Sequence, residues 1–454
     1  MNRNIVKQAL LAITLLLFFQ DVCCCAQSTK GDINADNYVN TTDVTVLYNV
    51  IFGTDVSTTK TICDINGDGG EPNTTDVTEL YNIIFGTSGS DPTRFVGGDI
   101  SLLPTYEEHN ANYNDADGNH ISDMLSFFAD AGWNTMRVRL FVDPSKATEK
   151  EKMQGVRQDI EYVKALGKRI KDKGFKLILD IHYSDSWADP AKQFTPDAWA
   201  SLTDAQLYIK IYDYTKDVLA QMKDAGATPD FIQTGNEISY GMLWGPVGSS
   251  SLKKCYYNST ANWERFVTLL KQATKACREE CPNAKIILHT ERVESMANVN
   301  DSHPVSNHEA FYQNMATYNV DYDIVGLSYY PYYHGDTDNL ESAIRVIENK
   351  FPTKKIMIVE TGYFHKYYPN DAKYDWRTLW PDTDAGQQLY ATTIVGILNN
   401  HSSVTGLFWW FPEANEYMLN WNTQRVTDGW YNASLWDNET GKVLPAINEL
   451  KGFK

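Results

Sequence analysis

The chain lacks a basic surplus, because 58 acidic side chains face only 40 lysines and arginines and leave a formal net charge of −18. Such a surface repels phosphate backbones, so the composition argues against a nucleic-acid partner. Beyond the first 20 residues there is also no apolar run that approaches the length of a membrane span. The composition is typical of a globular protein and fits a soluble surface and a neutral substrate.

Cysteine is scarce as well. Three of the seven cysteines stand together at positions 23–25, and the others are Cys63, Cys255, Cys277 and Cys281. Cys277 and Cys281 are four residues apart on a predicted helix and therefore share a face. In an exported protein one of them could pair with Cys255, and the alternative is a set of isolated buried thiols.

The first 25 residues have the pattern of a signal peptide. Arg3 and Lys7 are basic, and the apolar run from Ala9 to Phe19 is too short to span a bilayer. Either one of the three following cysteines is the lipidated first residue of a lipoprotein, or cleavage falls near Ala26. We therefore expect an exported protein that is extracellular, anchored to the cell surface or periplasmic.

Residues 31–87 contain two copies of one unit, in which Thr-Thr-Asp-Val-Thr and Tyr-Asn-x-Ile-Phe-Gly recur at 41–53 and 74–86. Each copy begins with oxygen-bearing side chains at the spacing of an EF-hand calcium loop. In the first copy these are Asp32, Asn34, Asp36, Asn40 and Asp43. In the second copy they are Asp64, Asn66, Asp68, Asn73 and Asp76, with one extra residue near Pro72. The repeat predicts two structural Ca²⁺ sites.

The duplicated loop resembles a dockerin, the calcium-loop module that docks onto cohesins. The resemblance covers only residues 31–87 and implies a cohesin-type partner. The inserted residue in the second copy leaves a calcium-stiffened spacer as the alternative. Residues 88–94 are predicted to be a linker, because Ser88-Gly89-Ser90-Asp91-Pro92 favours an irregular backbone. Residues 95–454 then form one domain.

Eight short segments of this domain have the β-branched and aromatic content of strands, and helical spacing lies between them. They start near Phe95, Thr135, Lys176, Asp230, Lys285, Ile324, Lys355 and Val404. Alternating strands and helices imply a parallel sheet. Eight repeats favour a closed (β/α)8 TIM barrel, preceded by a small α-helical EF-hand-like module.

The active site of such a barrel lies at the carboxyl ends of the strands. Strand four ends in Asn236 and Glu237, and strand seven ends in Glu360. Hydrolysis of a glycoside with retention needs two carboxyl groups about 5–5.5 Å apart, one as nucleophile and one as general acid and base. Strands four and seven lie across the barrel from each other and can supply this separation.

These strand ends resemble the clan of retaining (β/α)8 glycosidases. A narrower resemblance, to glycoside hydrolase family 53, rests on the motifs Arg137–Phe141, Asp180–Pro190, Gly235–Ile238, Gly326–Pro331, Val359–Tyr363 and Gly406–Trp410. It spans nearly all of 95–454. Members of that family are endo-β-1,4-galactanases that act on pectic galactan, and they need no cofactor for catalysis.

The resemblance implies two catalytic roles. Glu237 is expected to be the acid and base, held protonated by the charge of its neighbour and by partial burial. Glu360 is expected to be the nucleophile, kept ionised by Arg139 or by a tyrosine hydroxyl. Asn236 is expected to bind the 2-hydroxyl of the sugar under attack.

The resemblance also implies supporting residues around the substrate. Tyr329 is expected to orient Glu360, and His182 to brace the base of the cleft. Trp187 and Trp409 are expected to stack against sugar rings. The expected substrate-binding set is completed by Asp99 and Asp185, together with Arg139.

Family members often carry calcium between the loops after strands seven and eight. Ser434 and Asp437 resemble the ligands of the later loop, whereas 364–371 lacks the expected acidic, glycine-rich stretch. This Ca²⁺ site in the barrel stays open. Two alternatives for the whole domain also stay open: the same mechanism on xylan, mannan or cellulose, and a non-catalytic carbohydrate-binding barrel.

Overall fold

The structure is a computed structural model that describes residues 30–36, 39–54, 58, 60–65, 70–84, 94–256, 259–293 and 308–454. The predicted signal peptide, most of the linker, Asn66 and Asp68 lie outside the described residues. The chain divides into two compact units, Met1–Pro92 and Thr93–Lys454. Within the described ranges, no helix combines the length and apolarity that a membrane crossing requires.

The first unit contains three helices in its described part: α1 Thr41–Ile51, α2 Lys60–Cys63 and α3 Thr74–Ile84. The 3.6-residue period places one apolar stripe of each long helix inward. The buried cluster that results consists of Ile33, Val44, Leu47, Cys63, Ile65, Val77 and Leu80. The described part of the unit thus has a small core of seven buried residues.

The two copies of the repeat build the same helix start. Asn40 accepts a hydrogen bond from the Thr42 amide at 2.8 Å, and the Asp43 carboxylate accepts one from the Asn40 amide at 2.9 Å. In the second copy Asn73 caps the Thr75 amide at 2.8 Å in the same way. Reciprocal capping of this kind satisfies amides that the first helical turn leaves unpaired.

Eight parallel strands close the second unit into a barrel in the order of the chain. Their bounds are β1 Phe95–Asp99, β2 Thr135–Leu140, β3 Lys176–Ile181, β4 Phe231–Thr234, β5 Lys285–Thr290, β6 Ile324–Tyr329, β7 Lys355–Thr361 and β8 Val404–Trp410. The predicted (β/α)8 barrel is confirmed. Seven strands begin at the predicted residue, and β4 begins one residue later, at Phe231.

Helices between the strands cover the barrel. Their bounds are α4 Leu103–Glu108, α5 Met124–Asp130, α6 Glu149–Met153, α7 Ile160–Asp172, α8 Asp204–Asp224, α9 Thr260–Glu280, α10 His308–Thr317, α11 Pro331–His334, α12 Thr337–Lys350, α13 Asp384–Leu398 and α14 Ala446–Leu450. Helix α7 shows the common pattern, because it buries Val163, Leu166 and Ile170 at intervals of three and four residues.

The barrel interior has an apolar floor. The floor consists of Phe95, Ile178, Phe231, Ile287, Ile324, Met357, Val359 and Phe408. Inward-facing positions of a strand are two residues apart, so Asp180, Gln233 and His289 each stand one layer above a floor residue. This polar layer supports the open, carboxyl end of the barrel, where the loops meet.

The cysteine alternatives are settled in favour of isolated thiols for three residues. Cys255, Cys277 and Cys281 are buried and carry free thiols. Burial raises the pKa of the Cys277 thiol above its ordinary value, which leaves it uncharged and inert. The pairing considered for Cys255 is therefore wrong in this structure.

Candidate active site

A cleft of about 410 Å³ opens at the carboxyl ends of the strands. Its lining includes Glu237, Glu360 and Asn236, together with the aromatic side chains of Trp187, Tyr330, Trp410, Phe411 and Trp430. Apolar walls with a few converging polar groups are typical of a site that binds a small or extended ligand.

Glu237 enters the cleft from a sharp turn at the end of β4. Gly235 has a φ of +95° and Glu237 has a φ of +47°, both in the left-handed region. Glycine adopts this region freely, whereas a residue with a Cβ atom loses roughly 1–2 kcal/mol there. Strain of this kind concentrates at functional sites. The turn directs the Glu237 carboxyl group over the barrel mouth.

Glu360 is aimed by a β-bulge. Leu327 of β6 pairs with Ile358 of β7, but the next residue, Ser328, pairs with Glu360. Val359 is therefore an extra residue that already points to the apolar floor. Side chains of a strand alternate between its two faces, so without the bulge Glu360, the residue after Val359, would point out of the barrel. The bulge turns Glu360 back into the cleft, as bulges beside active sites do.

The two glutamates lie close together. A carboxylate oxygen of Glu237, a ring nitrogen of His289 and a carboxylate oxygen of Glu360 all lie within 4.8 Å of one another. Both ring nitrogens of His289 already have protein partners, and Arg137 lies 3.0 Å from Glu360. A metal cation would be repelled by that guanidinium. The separation suits a pair of retaining carboxyl groups instead.

Arg137 is the centre of a buried charge network. Its guanidinium contacts Asp99 and Asp180 at 2.8 Å and Glu360 at 3.0 Å, and it donates to the Asn236 amide oxygen at 2.9 Å. Burial disfavours its charge, but the three carboxylates keep the pKa of Arg137 above its ordinary value. A permanent cation thus stands beneath Glu360.

The pKa shifts separate the two glutamates. Burial, and next the charge of Glu360, hold the pKa of Glu237 well above its ordinary value. Burial raises the pKa of Glu360 to about 7, and Arg137 acts in the opposite direction. Because Arg137 lies directly against Glu360, the negative charge of the pair resides there. A protonated carboxyl beside an ionised one is the condition that acid and nucleophile require.

Asn236 lies between the network and the cleft. Its amide oxygen accepts from Arg137, and its amide nitrogen donates to the Ala188 carbonyl at 2.9 Å. An amide nitrogen has two hydrogens, so a second one is available toward the cleft that Asn236 lines. The side chain is held on both sides and can offer a donor at a fixed position.

Two aromatic residues predicted for the cleft face the wrong way. Tyr329 is fully buried and donates to the Gly335 carbonyl at 3.1 Å, whereas Tyr330 donates to Glu360 at 3.1 Å. Trp409 is also buried and donates to the Ala433 carbonyl at 2.6 Å, whereas Trp410 lines the cleft. Both predictions need correction by one residue, because neighbouring strand residues face opposite sides.

Arg139 or a tyrosine hydroxyl was predicted to hold Glu360 ionised. The arginine needs correction to Arg137, and a tyrosine hydroxyl, that of Tyr330, does contact Glu360. Arg139 pairs with Asp99 at 2.8 Å and lies over the Trp187 ring, 4.6 Å from its centroid. It is two residues further along β2 and so points to the same interior. Asp99 joins the two arginines beneath the cleft and is 1% exposed, so it supports the site from below.

Of the three predicted site residues in the loop after β3, one lines the cleft and two support the loop. Trp187 lines the cleft. His182 is buried, lies 3.0 Å from Asp180 and accepts the Ala188 amide at 3.1 Å, so it braces this loop. Asp185 accepts the Asp197 amide at 2.8 Å, a contact within this same loop, and is not among the residues that line the cleft.

The barrel calcium does not fit the residues present. The Ser434 hydroxyl lies 2.8 and 2.9 Å from the carbonyl oxygens of Tyr431 and Trp436. Asp437 is paired at 2.9 Å with the ammonium group of Lys366, which comes from the loop after β7 and also lies 3.2 Å from Glu439. A lysine from one loop thus supplies positive charge to the acidic residues of the other. The Ser434 and Asp437 metal prediction is corrected accordingly.

The described parts of the two loops in the first unit do fit calcium. The Asp36 amide donates to Asp32 at 3.1 Å and to Asn34 at 3.0 Å, so this loop curls and brings their side-chain oxygens together. Asp43 closes the loop by accepting the Ile33 amide at 2.8 Å. In the second copy Asp76 accepts the Ile65 amide at 2.9 Å. An oxygen-only donor set at these positions is what Ca²⁺ prefers.

Sequence reasoning missed several residues of the site. Arg137 and Asp180 stand inside quoted motifs without an assigned role, and Gln233, His289 and Ser328 were given none. The missing information was the layering of the barrel interior. Asp180, Gln233, His289 and Ser328 lie two or four residues beyond an apolar floor residue on their own strands. That count would have found these four, because the polar layer follows the floor by strand alternation. It would not have found Arg137, because the floor residues come from the other seven strands.

Comparison with known families covers most of the chain. The family model "Glycosyl hydrolase family 53" matches residues 95–450, and "Dockerin type I domain" matches residues 30–85. The chain is 30% identical to an arabinogalactan endo-β-1,4-galactanase of Cellvibrio japonicus over 76% of this chain and 85% of that protein. It is 28% identical to an endo-β-1,4-galactanase of Bacillus subtilis, over 77% of this chain and 84% of that protein.

Solved structures agree with these relatives. The family 53 catalytic domain of Ignisphaera aggregans superposes with a TM-score of 0.66 and 30% identity, over 80% of this chain and 96% of that chain. A fungal β-1,4-galactanase superposes with a TM-score of 0.64 and 26% identity, over 79% of this chain and 99% of that chain. With the barrel, the paired glutamates and the matched motifs in place, this chain belongs to glycosyl hydrolase family 53 and carries a dockerin type I domain.

Proposed function

We propose that the barrel is an endo-acting retaining glycoside hydrolase that cleaves β-1,4-galactan, the pectic galactan also found in type I arabinogalactan. The observation that carries the proposal is the pair formed by Glu237 and Glu360. Their carboxylate oxygens lie within 4.8 Å, the shifted pKa values keep one protonated and leave the charge on the other, and Arg137 lies beneath the charged one. The names of the galactanase relatives supply the substrate.

The first half of the reaction breaks the glycosidic bond. The ionised Glu360 attacks the anomeric carbon, and the electron pair of the broken bond goes to the leaving oxygen. Glu237 donates its proton to that oxygen, so the leaving group departs as a neutral alcohol. The product of this half is a glycosyl ester of Glu360.

The second half releases the sugar. Glu237, now ionised, takes a proton from a water molecule that attacks the anomeric carbon from the vacated side. The ester bond breaks and its electron pair returns to Glu360. Two inversions give net retention. Tyr330 donates to Glu360 at 3.1 Å and so can orient it and help stabilise its returning charge.

Aromatic residues of the cleft support recognition of a polysaccharide. Trp187, Trp410 and Trp430 line it, and Trp410 stacks on Phe411 with ring centroids 4.3 Å apart. The apolar face of a pyranose ring packs on such surfaces. Asn236 offers an amide hydrogen to the sugar 2-hydroxyl. A neutral chain with alternating apolar faces and hydroxyls fits this lining.

We also propose how the dockerin domain serves the enzyme. Its two loops bind structural Ca²⁺ through Asp32, Asn34, Asp36, Asn40 and Asp43 in the first copy and the equivalent residues of the second. It docks a cohesin-type partner, and the protein is exported, with a lipid anchor at one of the cysteines 23–25 as the alternative to free secretion. Such docking would hold the catalytic barrel close to an insoluble substrate.

The roles of the two glutamates are tested by chemical rescue. In Glu237→Ala an activated aryl glycoside still reacts, because its leaving group departs without an acid, and the glycosyl-enzyme accumulates. Azide, which needs no general base, should then release a β-glycosyl azide. Glu360→Ala should give no product of retained configuration. An α-azide from Glu237→Ala would show that the roles are reversed.

The substrate is tested separately. Purified enzyme is incubated with galactan, xylan, mannan and cellulose, and the products are sized over time. We expect a rapid fall in chain length on galactan alone, with short oligosaccharides as products. Cleavage of xylan, mannan or cellulose in place of galactan would leave the proposed mechanism intact and show that the proposed substrate is wrong. Release of monosaccharide only would contradict endo action.

A further inference from the structure

One hydroxyl group stands between the two glutamates. The Ser328 oxygen lies 2.7 Å from Oε1 of Glu237, 2.8 Å from Nε2 of His289 and 3.5 Å from Oε2 of Glu360. Ser328 is fully buried at the inner face of β6. A serine hydroxyl has a single hydrogen, so only one of these three neighbours can receive it.

The tautomer of His289 decides where that hydrogen goes. Two N–H donors converge on Nδ1 of His289, the Glu237 amide at 3.4 Å and the Gln233 side chain at 3.1 Å. The Asn236 oxygen also lies 3.0 Å from Nδ1, but it has two donors of its own, Arg137 at 2.9 Å and the Gln233 side chain at 3.2 Å. The Glu237 backbone amide can only donate, so Nδ1 must offer it a lone pair. Nδ1 is therefore the acceptor, and the ring hydrogen is on Nε2.

The ring is also neutral. His289 is fully buried, and burial followed by the nearby charge of Arg137 holds the pKa of His289 well below its ordinary value. With its hydrogen on Nε2, His289 donates to the Ser328 oxygen. The serine hydrogen is then left for a carboxyl oxygen of one of the two glutamates, and Oε1 of Glu237 at 2.7 Å is much nearer than Oε2 of Glu360 at 3.5 Å. Oε2 of Glu360 has Tyr330 as its own donor.

We propose that Ser328 is a positioning residue that fixes the catalytic proton of Glu237 on Oε2, and that Glu237 gives the proton to the leaving group from this oxygen. Oε1 accepts the serine hydrogen and so cannot carry the proton without losing that bond. The proposal rests on the proposed function, because it assigns a task within the retaining mechanism.

The same arrangement serves both halves of the reaction. In the first, Glu237 gives its proton from Oε2 and becomes charged, and the bond from Ser328 to Oε1 strengthens with that charge. In the second, Oε2 takes a proton from water, again with Oε1 held. The serine thus stabilises the charged form of Glu237 at the time when the charge of Glu360 is consumed in the ester bond.

Several charged or titratable groups face Glu237 and shift its pKa. They are Glu360 from β7, Glu291 after β5, Asp189 from the loop after β3, and Tyr330 after β6. The carboxylates disfavour the ionised form of Glu237, and the hydroxyl of Ser328 acts against them. Removal of Ser328 alone should therefore raise the pKa of Glu237 further.

The test compares Ser328→Ala with Ser328→Thr, which keeps the hydroxyl. Each variant is assayed on galactan, whose leaving group needs an acid, and on a dinitrophenyl glycoside of the same sugar, whose leaving group does not. For Ser328→Ala we expect kcat/KM to fall roughly 10- to 100-fold on galactan and to change less than threefold on the aryl glycoside. Ser328→Thr should recover most of the loss.

The pH profile supplies the second readout. The alkaline limb of kcat/KM on galactan, where the acid loses its proton, should move up by about one pH unit in Ser328→Ala. Ser403→Ala, which removes a partly buried hydroxyl bonded to Glu348 at the opposite end of the barrel, is the control and should match the wild type. Equal losses on both substrates, or an unmoved limb, would overturn the proposal. Failure of wild-type enzyme on galactan would instead count against the proposed substrate, and the polymer it does cleave would replace galactan.

Discussion

The dockerin domain and the barrel both bury carboxylates, but they differ in the source of the compensating charge. Residues 31–87 contain nine aspartates and glutamates and a single lysine. In the barrel, one arginine, Arg137, contacts Asp99, Asp180 and Glu360, and Lys366 contacts Asp437 and Glu439. The first unit must take its cation from solution, whereas the barrel carries cations in its own sequence.

The difference follows from what each unit has to do. A small unit with seven buried apolar residues in its described core gains little from burial, so ion binding can supply much of its folding free energy. The barrel has a large core and needs a carboxylate held at a fixed charge. A guanidinium does this without exchange with solvent, because its pKa is far above the working pH.

Arg137→Met should produce the largest effect, because it removes the buried cation that Asp99, Asp180 and Glu360 share. Three carboxylates would then face one another at the barrel mouth, and removal of one partner from a buried pair costs about 3–5 kcal/mol. We expect a loss of this size in the free energy of unfolding in urea, followed by tryptophan fluorescence, and loss of turnover.

Arg345→Met is the matched control. Arg345 is an exposed residue of α12 that pairs with Glu341 at 2.5 Å. Exposed pairs contribute about 0–1 kcal/mol, so the control should unfold near the wild-type midpoint. Similar losses in the two variants would mean that the buried network has no special role in stability.

Calcium chelation should weaken the dockerin domain and leave the barrel unchanged. At a free calcium concentration one hundredfold above the dissociation constant, binding stabilises the folded form by about 2.7 kcal/mol, and a chelator removes this. The first proteolytic cuts should then fall within 31–87. All 12 tryptophans lie at or beyond Trp133, so their fluorescence reports the barrel alone and should not respond. Identical cleavage with and without chelator would refute calcium loops.

Tyr330→Phe should reduce kcat/KM roughly 10- to 100-fold, which corresponds to about 1.4–2.7 kcal/mol of transition-state stabilisation. The lost hydroxyl donates to Glu360 at 3.1 Å. Tyr329→Phe is the matched partner, since its hydroxyl bonds the Gly335 carbonyl behind the strand. That variant should lose about 1 kcal/mol of stability and keep its activity. If Tyr329→Phe lost activity and Tyr330→Phe kept it, the residue that orients Glu360 would be Tyr329.

The sequence predicted the barrel well because its strand patterns are local. β-branched runs set the start of each strand, and only β4 differed, where Asp230 accepts hydrogen bonds from Lys171 and Lys176 just before the strand begins. The two glutamates were also found locally, as strand-end carboxylates. Strand starts and strand-end carboxylates can therefore be predicted from the neighbouring residues in the sequence.

The errors arose at residues whose role depends on which face of the strand their side chain occupies. Tyr329 and Trp409 were each chosen beside the residue that enters the cleft, and a one-residue shift exchanges the two faces. The bulge at Val359 shows why counting along one strand is insufficient, because it reverses the facing of Glu360. Register between neighbouring strands is a tertiary property, so pattern alone does not give it.

Lys366 offers the finest test of the comparison, because a lysine can be exchanged for a calcium ligand. Lys366→Met removes the ammonium group between Asp437 and Glu439. The lysine side chain is 29% exposed and Asp437 is 13% exposed, so we expect the free energy of unfolding of the barrel to fall by only about 1–2 kcal/mol.

Lys366→Asp should lose more stability, because it brings a third carboxylate to Asp437 and Glu439. It also completes an acidic cluster of the kind that Ca²⁺ binds. Added calcium should therefore raise the tryptophan-detected melting temperature of Lys366→Asp and leave that of the wild type and of Lys366→Met unchanged. A wild-type barrel that melts earlier in chelator would contradict the internal-cation account, since it would show that the two loops depend on a bound ion in spite of Lys366.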